Sequence, residues 1–340
     1  MKYKEYDVIV IGAGPAGLAT ATGLGKSDLR VLVLEKNKQI GPKICAGGLT
    51  TKIENIGMDL RMADVLFSQI KINVPGQSVV VEMEQPFVAT IDRGKLGQTM
   101  LTQVSEKVEI VAGVKVDEIG DDWIQIDGQR LTYKYLVGAD GSNSLARQYL
   151  DLAIKKSILG LQYIVPKKYD ELELFFAAEY FNNGYAWIFP HRHFTSIGCG
   201  RLLGDGPSHQ LMSDFSAWLN KRQIDVSRGW LEGWSINYDY QGHDFGRIFL
   251  VGDAAGFTSG MTGEGIYFAV VSGQEVARKI LHPDYQYDEI KKILAVKRKQ
   301  EWFLSATKYL NQPLLNGFYR LFPWFFSNDY LKRRAINLFC

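Results

Sequence analysis

Asp7-Val-Ile-Val-Ile-Gly12-Ala-Gly14-Pro-Ala-Gly17, with Glu35 closing the later run Arg30-Val-Leu-Val-Leu-Glu35, decides the fold. Residues 7–11 are short and β-branched, the alanine- and leucine-rich stretch to Leu24 has helix composition, and residues 30–35 are apolar again. Strand, helix and strand in such close succession make a βαβ unit, whose strands are apolar throughout because both faces are covered. Gly12-x-Gly14-x-x-Gly17 falls between the first strand and the helix, the context that gives this spacing its meaning. Gly12 permits the tight turn, Gly14 lets a pyrophosphate approach the backbone, and Gly17 lets helix and strand pack closely, with Ala16 beside it. The unpaired N–H groups at the helix start then face the phosphates. Glu35 ends the second strand, where a carboxylate accepts hydrogen bonds from ribose hydroxyls. On these residues alone the dinucleotide is FAD or NAD.

The far half of the chain decides between them. Arg247-Ile-Phe-Leu-Val-Gly252-Asp253-Ala254-Ala255-Gly256 is another strand ending in an acid, and Thr262-Gly263-Glu264-Gly265-Ile266 opens a helix predicted over 265–281. FAD is long, so one cradle holds its AMP half and a distant element its flavin half. Asp253 suits ribityl hydroxyls, and the helix start at Gly265 stabilises negative charge on reduced flavin. A third strand, Tyr135-Leu-Val-Gly138, runs into Ala139-Asp140-Gly141. Gly198-Cys199-Gly200 leads to no helix start, so no dedicated NADPH domain is expected.

Between these parts the periodicity changes. Two alternating runs, 70–74 and 78–83, flank Pro75-Gly76 as a hairpin. A meander follows over 108–111, 115–119, 123–126 and 130–137, and residues 158–165, 172–176, 186–189 and 194–200 read as an antiparallel wall. The last fifty residues are helical but interrupted by Pro313, Gly317 and Pro323. The expected fold is α/β. A Rossmann-type FAD-binding domain (βαβ with a three-stranded meander; 1–60, 92–157 and 243–290) is interleaved with an antiparallel-sheet substrate domain (61–91 and 158–242). A basic, aromatic-rich helical segment (291–340) follows.

Composition sets outer bounds. The 340 residues suggest two domains, and 46% apolar with 22% charged residues excludes a disordered or fibrous chain. Lys and Arg number 39 against 37 acids, too balanced for an obligate nucleic-acid binder. The charge is uneven: residues 291–340 carry +8, leaving an acidic body at −6. Cys45, Cys199 and Cys340 are odd in number and far apart, which excludes a disulfide framework, structural zinc and four-cysteine iron–sulfur ligation. His191 and His193 flank Arg192 without a third ligand, so no metal site is expected and the segment reads as a surface turn. Residues 291–299 read as a solvated helix face. No signal-peptide core and no run of ~18–20 apolar residues is present, so a cytoplasmic chain is expected. The eleven aromatics of the last fifty residues suit a cap on the substrate domain or a membrane interface. A cap that also touches the inner membrane face, peripherally, is the expectation.

Beyond the glycine cradle, the chain resembles FAD-dependent oxidoreductases of the aromatic-hydroxylase type, and within them the geranylgeranyl reductase family. Gly41-Pro42-Lys43-Ile44-Cys45-Ala46-Gly47-Gly48-Leu49 is similar to that family's cysteine–glycine loop, and Tyr185-Ala-Trp187-Ile-Phe189-Pro190 to its Tyr-x-Trp-x-Phe-Pro signature. Gly256 stands where hydroxylases usually carry histidine. The resemblance spans roughly residues 5–280 and leaves the tail unmatched. It implies FAD contacts at Ala16, Glu35, Cys45, Ala46, Gly48, Arg93, Val116, Asp253, Gly265 and Ile266. It also implies hydride transfer from reduced FAD to a C=C bond of a prenyl lipid, with a proton from Cys45 or water. Cys45 is equally readable as a small residue filling a tight turn. Tyr185, Trp187 and Phe189 share one strand face, and either line a hydrocarbon channel or pack as core. The electron donor stays open between NAD(P)H and a ferredoxin or quinol. The rival readings are a monooxygenase on the same cradle and a flavoprotein passing electrons to membrane quinone.

Overall fold

Strand Glu5–Ile11 sits inside an eight-stranded sheet, flanked in parallel by Val31–Glu35 on one side and Gln129–Gly138 on the other. Its residues from Tyr6 to Ile11 are buried, as the unbroken apolar run requires. Glu109–Ala112 and Ile248–Leu250 extend the parallel part, and Asp244–Phe245 closes one edge antiparallel. Glu118–Ile119, Trp123–Ile126 and the first half of Gln129–Gly138 form the three-stranded meander. Of the strand expected over 115–119 only Glu118–Ile119 pairs, and Val116 is instead a buried core residue. The computed structural model describes residues 1–2, 4–328 and 331–332.

Helices Pro15–Leu24 and Ile266–Leu281 pack together over this sheet, although they are distant in sequence. Small residues let them touch: the Thr20 hydroxyl donates to the Gly273 carbonyl at 3.2 Å, and a Cβ on Gly273 would lie 2.2 Å from the Ala16 carbonyl oxygen. That crossing brings the two distant motifs to one place.

A second sheet of seven strands runs in the order Trp230–Asn237, Ser157–Val165, Thr195–Leu202, Tyr185–Pro190, Glu173–Phe175, Gln69–Val74 and Gln77–Glu82. It is not wholly antiparallel, because Glu173–Phe175 pairs with Gln69–Val74 in parallel. The tight turn that forces antiparallel pairing joins only consecutive strands. The 69–82 hairpin comes from an earlier stretch of chain and docks without that constraint. Edge strand Trp230–Asn237 was not foreseen, nor was helix Leu211–Lys221, whose Leu211, Phe215, Trp218 and Leu219 pack behind the sheet. A third small sheet joins Gly48–Thr50, Val88–Thr90 and Val65–Phe67 and anchors the end of the cysteine loop.

Helices Asp288–Thr307, Gln312–Tyr319 and Phe322–Ser327 follow. Leu315, Tyr319, Phe322 and Phe326 insert into the cluster formed by Phe67, Ile70, Ile72 and Val81, so the segment caps the second sheet. The solvated face expected for 291–299 needs correction at Lys297, which is 3% exposed. Ile290, Ile293, Lys297, Gln300, Leu304 and Thr307 recur at helical spacing and are all buried. The Lys297 ammonium, carried into that face, donates to the Tyr238 and Thr258 carbonyls at 2.8 and 2.7 Å and pairs with Glu301. Among the described residues no helix is long and apolar enough to cross a membrane. Asp329, Arg333, Arg334 and Cys340, part of the tail reading, lie outside the described residues.

Candidate active site

The glycine loop is built for close approach. Gly12 has φ +104°, and a Cβ there would lie 2.4 Å from the Ala139 carbonyl oxygen. A Cβ on Gly17 would meet the Gly12 carbonyl oxygen at 1.9 Å, whereas a Cβ on Gly14 would meet nothing within 4 Å. The turn is thus closed on the protein side and open at the position read as the pyrophosphate approach. Ala16 is buried in the helix that Gly14 caps. Glu35 also serves the loop itself, since its carboxylate accepts the Ala13 N–H and the Asn37 N–H, both at 2.9 Å.

At the other end, three segments converge. Asp253 accepts from the Lys43 ammonium at 2.9 Å and from the Thr258 hydroxyl at 2.7 Å. Burial alone raises this carboxyl; Lys43, Thr258 and the Arg93 charge outweigh it and hold the group below the usual carboxylate range. Arg93 opens helix Arg93–Leu101, and its Nε is buried without a hydrogen-bond partner. A buried guanidinium N–H left unpaired costs stability unless a ligand supplies the acceptor. Gly265 caps helix Ile266–Leu281 without a side-chain cap, its Cβ position 3.0 Å from the Thr258 hydroxyl oxygen. Ile266 behind it is buried. Open space at Gly14, an orphaned donor at Arg93 and an uncapped helix start at Gly265 fit a long anionic dinucleotide.

The cysteine loop crosses between these ends. The Gly47 N–H donates to Cys45 Sγ at 3.4 Å, and Gln162 Nε2 donates to the Cys45 carbonyl at 3.4 Å. His191, expected in a surface turn, is instead 4% exposed and stacked on Phe194. The strand Tyr185–Pro190 simply carries it inward. Its Nε2 meets the Ala46 carbonyl at 3.0 Å and its Nδ1 the Asp64 carboxylate at 3.1 Å. The Ala46 carbonyl can only accept, so Nε2 is the donor in that contact. His191 is a site residue that the sequence reading missed; neighbouring His193 is exposed, and nothing local tells the two apart.

A cavity of about 270 Å³ opens from this loop between the second sheet and the C-terminal helices. Tyr185, Trp187 and Phe189 line it from the sheet, and Leu315, Tyr319 and Phe322 from the cap. Trp187 Nε1–H donates to Ser196 at 2.9 Å, and Ser196 to Gln162 at 2.8 Å, so the indole is fixed by a buried chain reaching the cysteine loop. Gly198 makes the room, because a Cβ there would lie 2.3 Å from that indole. Cys45, Ala46, Gly48 and the 260–264 loop line the remaining wall. In that loop Glu264 accepts from the Thr50 hydroxyl at 2.8 Å, and the Tyr185 hydroxyl donates to the Thr262 carbonyl. The sequence reading carried Glu264 only as part of a helix-opening motif; a charge between two glycines was the available signal.

Residues 1–119 match the Thi4 family profile. An uncharacterised protein of Methanosarcina barkeri is 32% identical, over 82% of this chain and 75% of its own. Geranylgeranyl diphosphate reductase of Rhodobacter capsulatus is 25% identical over 80% and 74% of the two chains. Digeranylgeranylglycerophospholipid reductase of Methanocaldococcus jannaschii is 24% identical over 89% and 85%. The chain belongs to the geranylgeranyl reductase-like family of FAD-dependent oxidoreductases. A family structure, a geranylgeranyl bacteriochlorophyll reductase-like protein from Thermoplasma acidophilum, shares the fold with a TM-score of 0.78 at 20% identity, over 94% of this chain and 91% of that one. The fold is wider than the family. A probable FAD-dependent monooxygenase of Pseudomonas aeruginosa superposes with a TM-score of 0.65 at 16% identity, over 98% of each chain. FAD is the cofactor that the family implies, and the cradle described above fits it.

Proposed function

We propose that this family member saturates carbon–carbon double bonds in a prenyl lipid chain of geranylgeranyl type. The observation that carries the reading is the cavity: apolar along its length, and lined by Cys45 and Glu264 where it meets the FAD cradle. An unactivated alkene offers no charged handle, so grip must come from buried methylenes at ~0.8 kcal/mol each. When bound and reduced, FAD supplies the hydride added to one alkene carbon. The chain's own work is placement. Tyr185, Trp187 and Phe189 hold the hydrocarbon, while Arg93, Asp253 and Gly265 hold the cofactor's polar parts. Cys45 and Glu264 are the protic side chains at the reacting end.

Anaerobic incubation of dithionite-reduced protein with geranylgeranyl lipids, read by mass spectrometry, tests this without naming the physiological electron donor. Two hydrogens gained per bond supports the reading. One oxygen gained under air supports a monooxygenase, against which Gly256 in the hydroxylase histidine position argues. An unchanged lipid with reduced quinone supports an electron carrier.

We infer also that the outer side of the cap meets an anionic lipid surface, from which a lipid-borne chain enters the cavity. Trp302, Tyr309, Leu314, Leu321 and Trp324 are exposed there, Tyr309 at 88%. Exposed Lys299, Lys308 and Arg320 lie in the same helices and loops. Aromatic side chains with interspersed cations suit the headgroup layer.

A further inference from the structure

Glu264 is the one acid on the cavity wall among the described residues. Its carboxylate accepts from the Thr50 hydroxyl at Oε1, and its backbone N–H donates to the Thr262 hydroxyl. Burial pushes the carboxyl above the usual range, and the opposing effects of Thr50 and the Lys52 charge do not offset it. Three further titratable groups surround this end. The Tyr185 hydroxyl donates a hydrogen bond to the Thr262 carbonyl and is driven above the ordinary phenol range by burial first, then by Glu264 and Cys45. Tyr267 is raised by burial, with Glu289 and Glu264 adding to it. Cys45 sits across the wall with its sulfur accepting from Gly47. Tyr185 therefore keeps its proton, and Glu264 is the carboxylic acid that faces the apolar cavity.

We propose that Glu264 is the acid that protonates the substrate alkene, with Cys45 shaping the wall beside it. This rests on the reductase reading. One alkene carbon receives the hydride with its electron pair. The π pair of the double bond forms the second C–H bond with the Glu264 proton. Glu264 is left as carboxylate and regains its proton from solvent, while the two electrons lost by the reduced cofactor are restored by the donor.

The test compares Glu264→Gln and Cys45→Ala in the FAD-loaded protein. In infrared spectra at neutral pH, wild type shows a protonated-carboxyl band that Glu264→Gln lacks, with or without lipid. Glu264→Gln binds FAD within about threefold of wild type, yet turnover falls roughly 10²–10⁴-fold, the range of a lost general acid. Wild-type turnover declines as pH rises and Glu264 ionises; Glu264→Asp keeps that limb and Glu264→Gln does not. Cys45→Ala loses less than about tenfold. The proposal falls if the band is absent, if Glu264→Gln stays within tenfold of wild type, if it sheds FAD, or if Cys45→Ala takes the whole loss. A wild type that reduces no prenyl lipid overturns the reductase reading and this proposal with it, whereas survival of turnover in Glu264→Gln overturns this proposal alone.

Discussion

His191 Nε2 donates to the Ala46 carbonyl at 3.0 Å, tying the end of the Tyr185–Pro190 strand to the residue after Cys45. The bond spans 145 residues of sequence and joins the cavity-lining strand to the cysteine loop. Asp64 meets the other ring nitrogen at 3.1 Å, so the imidazole is gripped from both sides.

His191→Ala leaves the Ala46 carbonyl and the Asp64 carboxylate without this partner, a loss of about 1–3 kcal/mol. The loop should loosen, and Cys45 should alkylate at least about tenfold faster by peptide mass spectrometry, since 1.4 kcal/mol of easier opening is tenfold. Cys199, buried in the second sheet, serves as the unchanged reference. His191→Gln, which can still donate to Ala46, should recover most of the protection. Equal Cys45 rates in all three proteins would show that His191 does not hold the loop.

Trp187→Ala should weaken lipid turnover and spare FAD. The indole lines the cavity, and Ser196 and Gln162 stand between it and the cysteine loop. Losing a large apolar contact of ~1.5–3 kcal/mol lowers kcat/KM for the lipid roughly 10–100-fold. Flavin fluorescence titration should give an FAD affinity within about twofold of wild type, the noise expected of uncoupled sites. Trp187→Phe, which keeps a ring, controls for folding. Joint loss of flavin and turnover would make Trp187 a core residue only.

Acid should destabilise the fold through His243. Burial beside Tyr240, Phe257 and Tyr287 lowers its pKa from 6.5 to about 4, against the opposing pull of Asp244 and Glu275. The unfolded chain therefore binds a proton that the folded chain refuses as pH falls below 6.5. The stability this group supports is present above that value and is lost progressively toward pH 4, by about 2 kcal/mol between pH 7 and 5. Urea unfolding at both pH values checks it: His243→Gln should lower stability at pH 7 yet show a smaller acid-induced drop than wild type.

Vesicle co-sedimentation tests the cap surface. Binding to phosphatidylglycerol vesicles should exceed binding to phosphatidylcholine vesicles and weaken as salt screens the cations. Trp302→Ser with Trp324→Ser should reduce it at least about tenfold, each indole contributing upward of ~1 kcal/mol at the interface. Thermal stability should stay within about 0.5 kcal/mol, because both side chains are exposed. Binding that is equal for neutral and anionic lipid, or unaffected by the double substitution, would refute the assignment.

The sequence alone determined what depends on local spacing. The βαβ start, the glycine turn with Glu35, the strand ending at Asp253 and the helix after Gly265 are each written in one continuous short stretch of chain, where 3.6- and 2-residue periods speak directly. The shared face of Tyr185, Trp187 and Phe189 was legible for the same reason. The tertiary structure decided what depends on distant segments meeting. Only packing told that Lys297 in a charge run turns inward, that His191 rather than His193 is buried, and that the 69–82 hairpin docks in parallel. It also decided that Glu264 lines an apolar cavity closed by the C-terminal helices. A residue's chemistry follows from what desolvates and pairs with it, and those neighbours come from parts of the chain that no local pattern connects.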